Sequence, residues 1–121
     1  MLALLKTISA ESKERPLSDV EKAGLVQFFG ITTELGWKTL GDFLRSQLVD
    51  IPMSPLPVIR RAFANELVDD AQTWVDAVER RNLMSHAYEK SAFDALVVEA
   101  GERFVPMFEA LVVRLSTERP T

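Results

Sequence analysis

Cysteine is absent from all 121 residues, which removes both a disulfide framework and a thiolate metal site. That suits a reducing compartment, and cytoplasmic residence is the expectation. No run approaches the roughly 18 to 20 apolar residues needed to cross a bilayer. The brief apolar start, Met1-Leu2-Ala3-Leu4-Leu5-Lys6, has no basic leader before it, so neither a membrane segment nor a signal peptide is expected. A surplus of positive charge is also missing, since 14 Lys and Arg against 18 Asp and Glu give a net charge of −4. That argues against a broad basic surface for nucleic acid, and any RNA contact is expected to be local. There is no Gly-rich phosphate loop and no Gly-Ser followed by paired aspartates, so the chain is not itself a nucleotidyltransferase. Asp69-Asp70 lacks a third ligand at suitable spacing and reads as a helix start; no metal and no cofactor are expected.

What is present is a helical pattern. With 47% hydrophobic and 26% charged residues, the chain has the composition of one globular domain spanning residues 1–121. Leu2, Leu5 and Ile8 form a short stripe that the polar run Ser9 to Arg15, followed by Pro16, brings to an end. Ser18-Asp19-Val20-Glu21 reads as a capping box opening a long helix to about Leu48. Trp37, Leu40, Leu44 and Leu48 share one face of it, and Phe28, Ile31 and Leu35 continue the apolar surface upstream. Gly24, Gly30, Gly36 and Gly41 fall inside this helix, each costing about 0.8 to 1 kcal/mol relative to Ala. Either packing uses the missing side chains for close approach, the role favoured for Gly36, or the helix breaks near Gly30.

Ser54 and Pro55 start the next helix, with Ile59, Ala62, Phe63 and Leu67 facing inward. Asp69-Asp70 caps another, carrying Trp74, Val75 and Val78; Trp37 and Trp74 are assigned to the core. Ser91-Ala92-Phe93-Asp94 reads as a second capping box before the stripe Phe93, Val97, Ala100, Phe104, Phe108, Leu111 and Leu115. Pro106 within that stripe predicts a kink rather than a stop. The fold class is therefore all-α, with about five helices.

These boundaries leave Ser85 to Lys90 as a connection between helices. In and before it lies Arg81-Asn82-Leu83-Met84-Ser85-His86-Ala87-Tyr88, which holds the one His and the one Tyr of the chain. On a continuous helix Arg81 and Tyr88 share a face, while His86 lies about 140° away from Arg81. Convergence of the three requires the helix to end between them, as a cap at Ser91 allows. An imidazole exchanges protons near neutral pH, and a guanidinium clamps phosphate bidentately. Together they are suited to assist attack of an RNA 2′-hydroxyl on its neighbouring phosphate without a metal. An acid/base cycle usually needs two proton-handling groups, which a C2 dimer of single-His chains supplies. The doublets Arg60-Arg61 and Arg80-Arg81 taken alone read as solvated helix faces. Glu34 and Lys38 form an i,i+4 pair that either supports the helix or reaches the site.

The Arg-x4-His-x-Tyr arrangement resembles the signature of HEPN proteins. Glu34-Leu35-Gly36-Trp37-Lys38-Thr39-Leu40, Ser54-Pro55 with Val58-Ile59-Arg60 and Ala62-Phe63, and Asp69-Asp70 followed by Trp74 resemble the nucleotidyltransferase-substrate-binding-like subfamily in order and spacing. The resemblance implies an up-and-down four-helix bundle, a homodimer, and a minimal nucleotidyltransferase encoded by an adjacent gene. It implies a toxin in which Arg81 and His86 cleave RNA, with Asn82, Ser85 and Glu34 supporting them. Tyr88 would then be the residue that the partner adenylylates to silence the toxin, the added phosphodiester anion neutralising Arg81. The alternative is a non-catalytic subunit that presents a substrate, or Tyr88 itself, to the transferase. One departure is clear: family members usually carry Arg-Phe-Glu-Phe where this chain has Phe28-Phe29-Gly30-Ile31, so that an Arg and a Glu are missing.

Overall fold

Ser18 and Glu21 form the reciprocal cap expected of them. The Ser18 hydroxyl accepts from the Glu21 amide at 3.2 Å, and the Glu21 carboxylate accepts from the Ser18 amide at 2.9 Å. The computed structural model describes residues 1–86 and 89–117, and of Ser85 and His86 the backbone alone. In chain order the helices are α1 (Leu2–Glu14), α2 (Asp19–Ser46), α3 (Pro55–Ala64), α4 (Ala71–His86) and α5 (Lys90–Glu99). A π-helical segment (Ala100–Phe104) then joins α5 to α6 (Val105–Thr117), and these three make one continuous rod. No strand occurs among the described residues, as the all-α expectation requires. None of the described helices is long and apolar enough to cross a membrane.

The long helix α2 is the hub, touching α1, α3, α4, α5 and α6. Its buried face carries Leu25, Phe29, Thr32, Thr33, Trp37, Leu40 and Leu44. Phe29 meets Phe104 at a centroid distance of 5.1 Å, and Trp74 of α4 meets Phe108 of α6 edge-on at 5.6 Å. Burial of each such side chain contributes roughly 1.5–3 kcal/mol, and the edge contact adds to it. Thr32 and Thr33 stay inside because their hydroxyls bond back to the carbonyls of Phe28 and Phe29.

Gly30 does not break α2, which is continuous for 28 residues. Gly36 serves close approach: a Cβ there would lie 2.8 Å from Cη2 of Trp74. Pro106 does not stop the last rod. The π segment ends two residues before it, widening the turn where the proline ring would press on the carbonyl of the preceding turn.

Four expectations need correction. The first helix is not short, because α1 continues through the polar run to Glu14 and stops only where the residue before Pro16 turns extended. Leu35, Leu48 and Phe63 are exposed rather than inward. The core face of α2 is turned toward Phe29 and Thr33, and α2 ends before Leu48, which turns into the left-handed region at φ 65. Ser91 does not cap the next helix. Glu89 holds the capping position with extended backbone, and Asp94 pairs with Lys22 of α2 at 2.6 Å instead of reaching back. Finally, Ser85 and His86 belong to α4, so the connection is shorter than Ser85 to Lys90.

Candidate functional site

Arg81 lies near the end of α4 and leans across α2. Its aliphatic stem passes Gly30, where an added Cβ would lie 3.7 Å from the Arg81 Cγ. Its Nη2 lies 3.4 Å from Oε2 of Glu34. The same Oε2 accepts a hydrogen bond from the Trp37 indole Nε1 at 3.1 Å, and Oε1 faces the Lys38 ammonium at 3.2 Å. Lys38 also stands over the Trp37 ring at 5.8 Å. Helical spacing explains the cluster: positions 34, 37 and 38 share a face one turn above Gly30. Burial works against the Glu34 charge, but the Trp37 and Lys38 hydrogen bonds and the Arg81 charge outweigh it, holding its pKa below the ordinary glutamate value.

Of these residues, Gly30, Glu34 and Arg81 line a groove of about 310 Å³ between α2 and α4. Val26, Ile31, Leu35 and Met84 give it apolar walls, while Glu34 and Arg81 supply charge. It can therefore hold a group with an anionic end and an apolar body.

The neighbouring Arg80 does something else. Its Nε and Nη2 each donate to a Glu99 oxygen at 3.0 Å, tying α4 to α5. Glu99 also accepts from Arg103, which reaches Asp76. The doublet thus splits between a clamp and the groove, and neither member is a simple solvated cation. That clamp escaped the sequence reading because its partners lie 19 and 27 residues apart. Glu34, open in the sequence between helix support and a site contact, pairs with both Lys38 and Arg81; the Trp37 bond to it was missed, though the i,i+3 spacing carried the signal.

The other expected site residues are less fully placed. Asn82 is exposed, and its Oδ1 accepts from Arg81 Nη1 at 3.4 Å. Tyr88 and the side chains of Ser85 and His86 lie outside what is described. The backbone does bear on the predicted convergence. Because α4 is unbroken from Ala71 to His86, positions 81 and 86 stay about 140° apart around one helix. The helix end that was to bring them together does not fall between them. Asp70 accepts from the Thr73 amide at 3.2 Å and from its hydroxyl at 2.7 Å, which is the helix-start role expected for it.

A solved structure from Thermus thermophilus is similar, with 27% sequence identity and a TM-score of 0.75 over 92% of this chain and 98% of that one. No protein of curated function matches. The family described as nucleotidyltransferase substrate binding protein like matches residues 1–117. With that match running through the helical core and the Arg81 groove alike, the chain belongs to this family.

Proposed function

We propose that this chain is the partner subunit of a nucleotidyltransferase and binds or presents what that enzyme modifies. The family match along residues 1–117 carries the reading. The groove beside Arg81 suits it, since one guanidinium above apolar walls is what the phosphate end of a nucleotide needs. Tyr88 is the proposed acceptor. Its phenolic oxygen attacks the α-phosphorus of ATP held by the transferase, an O–P bond forms, pyrophosphate leaves, and the phenol proton passes to a base or to water. Co-expression with the nucleotidyltransferase of the adjacent gene, followed by intact-mass measurement, tests this. The expected result is co-purification and one adenylyl group, absent from Tyr88→Phe; an unmodified chain that purifies alone would overturn it.

A second reading is favoured by the Arg81, His86 and Tyr88 pattern itself, which makes the chain a HEPN-type toxin with metal-independent endoribonuclease activity. Two positions about 140° apart on one helix do not meet within a chain, but two copies related by a two-fold axis can set Arg81 of one against His86 of the other. Arg81 would then stabilise the phosphorane that forms as the 2′-hydroxyl attacks, and His86 would move the proton. Adenylylation of Tyr88 would fill that site and silence it. Incubation of the purified dimer with RNA in the presence of a chelator decides the point. Cleavage abolished by His86→Ala supports it; no cleavage, or an equally active variant, sinks it.

A further inference from the structure

The Glu34 carboxylate is anchored without Arg81. Its own helix supplies the Trp37 indole N–H at 3.1 Å and the Lys38 ammonium at 3.2 Å. Arg81, by contrast, reaches Glu34 through one 3.4 Å contact of Nη2, long for a charge-assisted bond, which is usually about 2.7–2.9 Å. Among the described residues, the five donors of the guanidinium meet Glu34 and, through Nη1, the Asn82 oxygen, each at 3.4 Å. A phosphate group in the groove offers bidentate geometry that Glu34 does not. Both partners are only partly buried, at 38% and 28% exposed, so exchange needs no unfolding.

We infer that Glu34 is a built-in competitor for phosphate at Arg81: it occupies the guanidinium when the groove is empty and is displaced when a phosphate group enters. The inference rests on the reading of the Arg81 groove as the site of a nucleotide phosphate. Lys38 stays beside Glu34 throughout, so the carboxylate keeps a cationic partner on its own helix once it leaves the guanidinium. Glu34 is a positioning residue in this scheme, acting through Arg81.

Inorganic phosphate is the probe, titrated into the full chain while the Arg81 Nε–Hε resonance is followed by NMR. Glu34→Gln keeps an oxygen for the Trp37 indole but removes the competing charge, and phosphate affinity is expected to rise about tenfold, which corresponds to about 1.4 kcal/mol. Glu34→Asp keeps the charge but shortens the reach, and an intermediate rise is expected. Arg81→Gln is expected to lose binding. Titration with AMP separates the sources: tighter binding than phosphate assigns the apolar walls to a nucleoside, and equal affinity assigns the site to phosphate alone, both consistent with displacement of Glu34. Unchanged or weaker phosphate binding in Glu34→Gln overturns the inference, as does phosphate binding that ignores Arg81. Should that happen while the chain still co-purifies with the transferase and gains its adenylyl group, the competitor role falls and the partner reading stands.

Discussion

Gly36 of α2 sits against the ring of Trp74 of α4 so closely that a methyl group on it would lie 2.8 Å from Cη2 and 3.1 Å from Cζ3. The indole is 1% exposed and packs edge-on with Phe108, which itself lies 3.8 Å from the same added Cβ, so there is little room for it to retreat. Gly36→Ala is therefore expected to destabilise by about 1–3 kcal/mol through overpacking. Gly30 sits in the same helix with the opposite expectation. Its added Cβ would make only an ordinary 3.7 Å contact with Arg81, so Gly30→Ala should gain about 0.5–1 kcal/mol. Urea unfolding of the two variants checks the pair, and equal shifts of the same sign would contradict this packing.

This contrast marks what the sequence could and could not disclose. The capping box at Ser18 and Glu21, the proline start at Pro55 and the stripe from Phe93 to Leu115 are local signals, and local hydrogen bonding and periodicity realise them. The inward face of α2 was harder to read. Phe28, Phe29, Ile31, Thr32 and Thr33 offer two overlapping apolar arcs, and only the neighbours Phe104 and Phe108 select the arc of Phe29. Asp94 shows the same limit: next to Ser91 it reads as half of a cap, yet Lys22 of α2 claims it across the bundle. At the candidate site, the motif spacing singled out Arg81. Its pairing with Glu34, 47 positions earlier by sequence number, was not, because nothing in a linear pattern records which face of α4 meets α2.

Two helices end in left-handed residues that are not glycine. After α2, Leu48 has φ 65, with its amide bonded to the Arg45 carbonyl and the Val49 amide to the Leu44 carbonyl. After α3, Glu66 has φ 62 with the equivalent bonds to Phe63 and Ala62. Both are Schellman ends, which favour glycine at this position. Leu48 is 94% exposed and packs on nothing that its removal would cost. Leu48→Gly is expected to raise stability by about 0.5–1 kcal/mol, less than the full left-handed penalty because glycine also loosens the unfolded chain. A rise in the thermal midpoint with an unchanged denaturant slope is the supporting result; a fall would mean that the side chain is engaged.

The turn between α1 and α2 carries a pH signature. Glu21 takes hydrogen bonds first from the Arg15 guanidinium, at 2.9 and 2.6 Å, and then from Ser18, which together hold its pKa down at about 2. A carboxylate depressed by folding contributes stability that is complete above its unfolded value of 4.5 and is lost as pH falls through 2. Both groups are open to solvent, so the expected effect is local, a loosening of the turn and not unfolding of the bundle. An NMR titration of the Glu21 side-chain carboxyl should show its midpoint near 2, moving up toward 4.5 in Arg15→Gln. A midpoint already near the ordinary value in the unaltered chain would remove the turn contact.

Adjacent arginines with different partners should separate stability from function. Arg80 gives both forks of its guanidinium to Glu99, and Glu99 is joined through Arg103 to Asp76. The pair is only 30% and 22% exposed, so Arg80→Ala leaves a half-buried carboxylate short of donors and should cost about 1–2 kcal/mol. Phosphate binding at the groove should be unaffected, since Arg80 faces α5 and not α2. Arg81 makes one long contact with Glu34, and its loss should change stability by no more than about 0.5 kcal/mol. Phosphate binding should vanish with it, and any RNA cleavage should drop at least about 100-fold, the usual consequence of deleting one donor aimed at developing charge. Thermal melts and phosphate titrations on the two alanine variants provide the comparison. If Arg81→Ala unfolds the bundle while Arg80→Ala loses the ligand, the clamp and the binding group have been assigned to the wrong residues.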